Sequence, residues 1–379
     1  MNLPLANRAG LASAPRVVVK VGSSSLTDAD GGLDLAALRH LVQVLAARRA
    51  RGQQVVLVSS GAIAAAIIPL GLGGKPRDLA TAQAAASVGQ GLLMARYTEA
   101  FAGHGQRVGQ VLLTAEDLIR RQHHVNAQRA LERLLALGVV PIVNENDAVA
   151  TDEIRFGDND RLAALVSHLL RADALVLLTD VDGLYDGPPE RPGTRRIPLV
   201  TSPEGLAGVE VTGRGSAIGT GGMVTKLDAA SIATASGIPT ILTAAGDVAA
   251  ALAGDDVGTW FAATGRRKST RRLWLAHATR SHGRVVLDDG AVRAVAQDKR
   301  SLLAAGVADV EGEFEAGDPV ELVGTDGQVV ARGLVAYSSA EVRAMKGKTS
   351  ARLRAESGQD HPRPVVHRDD LVEVVGRRR

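Results

Sequence analysis

Short apolar runs rich in β-branched residues alternate with longer segments rich in alanine and leucine from residue 16 to about residue 262. In the longer segments apolar side chains recur at helical spacing, as Leu38, Leu41 and Leu45 do before Gly52. The short runs predict strands over residues 16–22, 54–61, 107–114, 139–144, 173–180 and 238–245. The longer segments predict helices over residues 34–52, 123–138, 159–172 and 221–237, and an alanine-rich helical region from residue 62 to about residue 102.

Strands that alternate with helices at this spacing need crossover connections, which produce a mainly parallel sheet with helices on both faces. Ligands of such sheets bind beyond the carboxyl ends of the strands. Four polar motifs begin where predicted strands end: KVGSSS at residue 20, VSSGA at residue 58, VNEND at residue 143 and LLTD at residue 177. Their shared position favours a functional site at that edge more strongly than any one motif does.

The pattern changes after about residue 263, where short pieces are separated by glycine and aspartate. Period-two stretches over residues 318–323 and 328–337, joined by a Thr-Asp-Gly turn, predict hairpins of a small β-rich domain. The predicted organisation is a disordered N-terminus over residues 1–15, a first domain over 16–263, a basic linker over 264–282, a β-rich domain over 283–372 and a basic tail over 373–379.

Composition limits the classes of protein to which the chain can belong. Its 379 residues are enough for two or three domains, and its net charge of +3 is too small to imply a polyanionic partner for the whole molecule. Aromatic residues are only 2% of the chain, so alanine, leucine and valine must do most of the packing. With no cysteine, no apolar leader segment and no run of 18 apolar residues, we expect a cytoplasmic protein that does not enter membranes.

The connection between residues 143 and 161 is unusually rich in polar side chains, with six carboxylates and three asparagines in nineteen residues. An acidic stretch of this kind is most often a solvated loop. A ligand-binding loop is the alternative, and this stretch alone does not decide between the two.

Two scarce lysines lie in motifs that suit phosphate. Only seven of the 44 basic residues are lysine, and two of them are Lys20, followed closely by Gly22 and Ser23, and Lys226, which ends the motif GTGGMVTK. Glycine allows the backbone to approach a ligand closely, and amide donors, hydroxyl donors and an ammonium group all favour an anion. Ordinary strand ends and glycine-rich turns have the same composition, so each motif alone has a simpler explanation.

The other two strand-end motifs are equally ambiguous when taken singly. Ser60 in VSSGA lies where a helix starts, so it serves either as an N-cap or as part of an anion site. Thr179 and Asp180 in LLTDVDGLY end a predicted strand, and a turn accounts for them.

Together these motifs resemble those of the glutamate 5-kinases, a family of the amino-acid kinase superfamily. KVGSSS, VSSGAI, VNENDAV, GDND, LLTDVDGLY and GTGGMVTK follow the order of that family, and VHRDDLV at residues 366–372 is similar to its C-terminal ending. The β-rich tail resembles a PUA domain. The implied fold class is α/β, a mainly parallel sheet sandwiched between helices (the amino-acid kinase fold), with a small C-terminal β-rich PUA-like domain.

The resemblance implies transfer of the γ-phosphoryl group of ATP to the side-chain carboxylate of L-glutamate, the first step towards proline. That carboxylate is ionised at neutral pH, with a reference pKa of ~4.3, so no general base is needed. The implied catalytic residues are Lys20 and Lys226, which supply cations to the phosphates, and Asp160, which holds both ammonium groups in place. Mg²⁺ is implied as a partner of the ATP phosphates, and its protein ligands are not assigned.

The resemblance also implies how the substrates are divided over the site. Ser60, Asp147 and Asn159 are the implied glutamate-binding residues, with Asn144 and Asp158 as neighbours. The implied ATP-binding residues are Lys20, Gly22, Ser23, Thr179, Asp180, Thr220, Gly221, Gly222, Met223, Val224, Thr225 and Lys226.

Two alternative functions stay open. A kinase of the same superfamily for aspartate, N-acetylglutamate or a nucleoside monophosphate would share the fold, although N-acetylglutamate lacks the ammonium group that Asp147 would bind. RNA binding through the PUA-like domain is favoured by the basic segment 266–284, but acids interleave the β-rich core, so nucleic acid is not expected as a partner. We expect a homo-oligomer, and proline is the expected candidate for a feedback inhibitor.

Overall fold

The apolar runs before residue 262 form the strands of one sheet in the structure, which is a computed structural model. Residues 5–28, 31–114, 117–118, 121–149, 159–188, 191–202, 222–264, 281, 283–357 and 363–373 are described. The strands of this sheet are β1 Arg16–Val21, β2 Gln54–Ser59, β3 Arg107–Leu113, β4 Val139–Glu145, β5 Ala174–Thr179, β6 Leu199–Val200, β7 Thr240–Ala244 and β8 Thr259–Phe261.

The eight strands lie in the order β3-β4-β2-β1-β5-β7-β8-β6. Neighbouring strands are parallel except for β7 and β8, which are antiparallel. All six residues of β5 are buried, and β1 is buried from Val17 to Val21, as expected of parallel strands covered on both faces. The predicted mainly parallel sheet is therefore confirmed.

Helices connect these strands, and all of them except the last, over residues 248–253, lie at predicted places. They are α1 Leu35–Ala50, α2 Ala62–Ile67, α3 Leu79–Ala102, α4 Arg121–Ala136, α5 Asn159–Leu169, α6 Met223–Ala235 and α7 Val248–Ala253. The alanine-rich region is divided into α2 and α3, because Gly71 and Pro76 interrupt it and Asp78 caps α3 by accepting a 2.9 Å hydrogen bond from the backbone N of Thr81. Short 3₁₀ helices cover Arg8–Ser13, Ser24–Leu26 and Ala245–Asp247.

The structure corrects the expectation of a disordered N-terminus for residues 5–15, whereas residues 1–4 lie outside the described residues. Residues 8–13 instead form a 3₁₀ helix in which Leu11 is fully buried. Arg48 of α1, also fully buried, donates hydrogen bonds to the carbonyl oxygens of Leu11 at 2.8 Å and Ala14 at 2.7 Å. Burial lowers the pKa of Arg48 to about 10, which still leaves the guanidinium charged at neutral pH. The segment is ordered because it supplies acceptors to a buried cation.

The chain divides into two compact units, Met1–Thr270 and Arg271–Arg379. The second unit has a core of its own and a five-stranded sheet in the order β10-β9-β11-β12-β13. Its elements are β9 Gly283–Leu287, α8 Asp289–Ala296, a 3₁₀ helix Ala304–Gly306, β10 Val307–Gly312, β11 Pro319–Gly324, β12 Val329–Val335, α9 Ser339–Met345, α10 Ser350–Ser357 and β13 Val366–Glu373.

The predicted hairpin of this unit is confirmed. Strands β11 and β12 are antiparallel, and Gly327 turns the chain with φ of +79°. Helices α8, α9 and α10 were not predicted. Most of the predicted linker 264–282 and of the tail 373–379 lies outside the described residues. Across the residues that are described, no helix is both long enough and apolar enough to span a membrane.

Candidate active site

The carboxyl ends of β4, β2, β1 and β5 lie side by side, and the polar motifs that follow these strands meet at this edge. In the sheet register, Lys20 of β1 pairs with Val58 of β2 and with Leu177 of β5. Ser60 and Thr179 each lie two residues beyond those partners, so these two residues share one level, just beyond Lys20 in the direction of the carboxyl ends. The backbone N of Ser60 also donates to the carbonyl oxygen of Val21 at 3.1 Å, which holds the two strand ends together.

Two lysines share one buried carboxylate at this edge. Asp160, in the first turn of α5, is fully buried; Lys20 is 3% exposed and Lys226 is 9% exposed. Lys20 forms an ion pair with Asp160 Oδ1, and Lys226 Nζ lies 3.2 Å from Asp160 Oδ2. Two ammonium groups with one carboxylate leave a local charge of about +1. This cluster is therefore able to attract and orient a polyanion.

The beginning of α6 lies against the same carboxylate. Thr225 Oγ1 donates to the carbonyl oxygen of Gly222 at 2.8 Å and lies 3.4 Å from Asp160 Oδ2. The first residues of α6 are Met223 and Val224, and the side chain of Val224 is exposed. The free backbone N–H groups of a first helical turn favour an anion. Lys226 and the start of α6 thus present positive charge together.

A cluster of amide side chains lies beside the lysines. Asn159 Nδ2 donates to Ser60 Oγ at 2.9 Å and to Asn144 Oδ1 at 3.0 Å. Asn144 is buried near the end of β4, and Asp147 lies in the turn three residues further on, half-buried. The structure therefore brings Ser60 and Asn159 into contact and places Asp147 on the loop that follows Asn144.

The remaining predicted nucleotide-binding residues lie at the ends of β1 and β5. A Cβ atom on Gly22 would lie 3.7 Å from Lys20 Nζ, so the backbone there runs beside the ammonium group. Ser23 accepts a 2.7 Å hydrogen bond from Thr27 through its carbonyl oxygen. Thr179 is buried and donates to Asp180 Oδ1 at 2.8 Å, while Asp180 is exposed.

Three residues singled out in the sequence lie outside the described residues: Thr220, Gly221 and Asp158. The structure also adds residues that the motifs did not indicate. Gln90 of α3 accepts a hydrogen bond from Asn144, and Arg161 pairs with Asp228 at 2.5 Å between α5 and α6. Neither contact follows a recognisable sequence pattern.

A metal site made by the chain alone is not found in the part that the structure describes. In that part, no group of at least three histidine, aspartate or glutamate side chains is placed so that it could hold a metal ion. Asp160, the buried acid of the site, is already in contact with two lysines.

Sequence comparison relates both parts of the chain to known families. Residues 15–244 match the amino acid kinase family, and residues 283–356 match the PUA domain. The chain is 61% identical to a glutamate 5-kinase of Streptomyces avermitilis over 369 residues, which cover 97% of this chain and 98% of that protein. It is 62% identical to a glutamate 5-kinase of Streptomyces coelicolor over 366 residues, which cover 96% of this chain and 98% of that protein.

Comparison with solved structures agrees on the fold. A carbamate kinase from Giardia lamblia bound to AMP-PNP matches 67% of this chain and 100% of its own length, with a TM-score of 0.50 and 19% identity. At that identity the likeness concerns the fold alone.

Proposed function

This chain belongs to the glutamate 5-kinases of the amino acid kinase family, so it phosphorylates the side-chain carboxylate of L-glutamate with ATP, and we propose that the cluster around Asp160 carries this reaction. The product is L-glutamyl 5-phosphate, and glutamate 5-kinases catalyse the first step of proline biosynthesis. The observation that supports the catalytic assignment is the shared contact of Lys20 and Lys226 with one buried carboxylate.

The reaction is a phosphoryl transfer whose difficulty is electrostatic. A carboxylate oxygen of glutamate attacks the γ-phosphorus, and the bond from that phosphorus to the bridging oxygen breaks, leaving ADP. The carboxylate is already ionised at neutral pH, so the chain must position two anions rather than remove a proton. Lys20 and Lys226 offset the charge of the phosphates, and Asp160 holds both ammonium groups at the edge of the sheet.

The amide cluster supports the division of the site between the two substrates. Glutamate presents an ammonium group that needs acceptors and carboxylates that need donors. The carboxylate of Asp147 and the amide oxygen of Asn159 suit the ammonium group, and the Ser60 hydroxyl suits a carboxylate oxygen. Both N–H groups of Asn159 already donate to Ser60 and Asn144, so Asn159 also orients the Ser60 hydroxyl. Glutamate bound there lies beside Lys20 and Lys226, because Asn159 and Asp160 are consecutive residues of α5.

The nucleotide is proposed to bind across the ends of β1 and β5 and the start of α6. The residues that would hold it are Lys20, Gly22, Ser23, Thr179, Asp180 and the segment 220–226. Mg²⁺ is proposed to accompany ATP and to be held mainly by its phosphates, because in kinases Mg²⁺ takes few protein ligands.

The acceptor preference is tested by measuring ADP release with glutamate, aspartate and N-acetylglutamate in parallel. We expect glutamate to give the highest kcat/KM. Aspartate has a side chain shorter by one methylene, so its carboxylate does not reach the γ-phosphate in the same pose. N-acetylglutamate offers no ammonium group to Asp147. A higher kcat/KM for either alternative acceptor would assign the chain to a different substrate.

Removal of the Asp147 carboxylate should raise the KM for glutamate far more than the KM for ATP. A charge-assisted hydrogen bond contributes about 1.5–3 kcal/mol, so Asp147→Ala should raise the glutamate KM by roughly tenfold or more. Asp147→Asn is the matched control: it retains the size of the side chain and loses only the charge, so an intermediate KM is expected. Equal increases in both KM values, with an unchanged melting temperature, would show that this loop does not hold the amino acid.

The first domain is proposed to span residues 16–263 and the PUA-like domain residues 283–372. A homo-oligomer is supported by two apolar side chains of α3, Val88 and Leu92, that are exposed. Proline is proposed as a feedback inhibitor because it is the end product of the pathway. A cytoplasmic location is supported by the absence of cysteine.

A further inference from the structure

A buried glutamine of α3 contacts the amide cluster without belonging to any of the motifs. Gln90 Oε1 accepts a 2.8 Å hydrogen bond from Asn144 Nδ2. Gln90 is 9% exposed, and its Nε2 atom has no hydrogen-bond partner among the described residues. Within that part of the chain, only the accepting half of this amide is used.

This acceptor fixes the orientation of the Asn144 amide together with the backbone N of Glu145, which donates to Asn144 Oδ1 at 2.9 Å. An Asn144 amide that donates to Gln90 turns its oxygen towards Asn159, whose Nδ2 donates to it at 3.0 Å. The same Nδ2 of Asn159 donates to Ser60 Oγ at 2.9 Å. Because the Ser60 oxygen accepts this bond, the hydroxyl keeps its own hydrogen for an acceptor such as a carboxylate.

The position of Gln90 is set by a backbone contact between two helices. A Cβ atom on the preceding residue, Gly89, would lie 1.7 Å from the carbonyl oxygen of Ala62, so no larger side chain fits there. Helix α3 therefore crosses α2 in direct contact, and Ala62 is only two residues from Ser60. The helix that carries Gln90 is thus held against the segment that carries Ser60.

We propose that Gln90 is a positioning residue for the glutamate site and acts through Asn144 on Asn159 and Ser60. The proposal rests on the glutamate-binding role proposed above for Ser60 and Asn159. Without an acceptor at residue 90, Asn144 either retains an unsatisfied buried donor or rotates and loses its bond to Asn159. In the rotated state the Asn159 amide and the Ser60 hydroxyl are no longer oriented for the substrate, and in the other state the unsatisfied donor destabilises the cluster that orients them.

The test compares Gln90→Met, which has a similar length and offers no comparable acceptor, with Gln106→Met. Gln106 immediately precedes β3, at the amino end of that strand, and donates to the carbonyl oxygen of Ala46 at 2.8 Å. Its Oε1 atom is buried and has no hydrogen-bond partner among the described residues. We expect Gln90→Met to raise the glutamate KM by roughly tenfold and to leave the ATP KM within about twofold. Gln106→Met should change neither constant.

A double-mutant cycle separates positioning from a general loss of packing. If Gln90 acts through Asn159, Gln90→Met should raise the glutamate KM far less in an Asn159→Ala background than in the wild type. Equal effects in both backgrounds, or an unchanged glutamate KM in the single variant, would overturn the proposal. If Gln90→Met does not fold, Gln90→Asn removes the contact by shortening the side chain, and the same results are expected of it. Failure of the wild type to phosphorylate glutamate would instead overturn the proposed function.

Discussion

Replacement of Lys226 by alanine is expected to lower kcat by about 10²–10³-fold, because removal of one preorganised charge at a reacting group typically has an effect of that size. Lys226 lies in the first turn of α6, where its charge adds to the positive potential of the helix start. Its Nζ atom lies 3.2 Å from Asp160 Oδ2. The fold is expected to persist, since Asp160 retains Lys20 as its counter-ion. The measurement is the rate of ADP formation at saturating glutamate and ATP, with thermal unfolding followed by circular dichroism.

Lys346→Ala is the control for loss of a lysine. Its ammonium group pairs with Asp309 at 2.8 Å in the second unit, and its side chain is 44% exposed. That variant should retain wild-type kcat. A kcat for Lys226→Ala within about tenfold of the wild type, equivalent to ~1.4 kcal/mol of barrier, would exclude Lys226 from the catalytic residues.

Replacement of Asp160 by asparagine is expected to lower both kcat and the free energy of unfolding. The substitution preserves shape but leaves two buried ammonium groups without a counter-charge. Removal of one partner from a buried ion pair costs about 3–5 kcal/mol. Because the phosphates of ATP supply negative charge at the same place, ATP should raise the melting temperature of Asp160→Asn by more than it raises that of the wild type.

Asp228→Asn is the matched control, since it makes the same change in α6, the helix of Lys226. Asp228 pairs with Arg161 at 2.5 Å, but the two side chains are 40% and 26% exposed, so the expected cost is below about 1 kcal/mol. Thermal unfolding of both variants with and without ATP provides the comparison. If Asp160→Asn is no less stable than Asp228→Asn, the buried carboxylate does not hold the two lysines together.

The local pattern of apolar residues was sufficient to predict most of the strands and helices of the first unit. The strand predicted over residues 173–180 is β5, Ala174–Thr179, and the helix predicted over residues 34–52 is α1, Leu35–Ala50. A continuous run of β-branched and leucine residues indicates a parallel strand that is buried on both faces, and this signal does not depend on which strands are its neighbours. The division of residues 62–102 into α2 and α3 was missed because alanine-rich composition outweighed the local effect of Gly71 and Pro76.

In the second unit the local pattern predicted the hairpin but not the helices. The hairpin of β11 and β12 could be predicted, since alternation and a Thr-Asp-Gly turn are local signals. Helices α9 and α10 are only seven and eight residues long, too short for a periodic pattern to be distinguished from a loop. Val342 of α9 and Leu353 of α10 pack against the core of the second unit, which contributes to the stability of both helices.

By itself, the sequence determined which six segments become the longer strands of the first sheet and that several of their ends carry lysines, amides and carboxylates, because periodicity and residue type act over a few positions. Only the tertiary structure decided which of those ends meet. Lys226 reaches Asp160 across 66 residues, and Asn144 reaches Gln90 across 54. Such contacts depend on strand order and on the close crossing at Gly89, neither of which a local pattern encodes. The ordering of residues 8–13 likewise depends on Arg48, whose buried charge needs acceptors from a distant part of the chain.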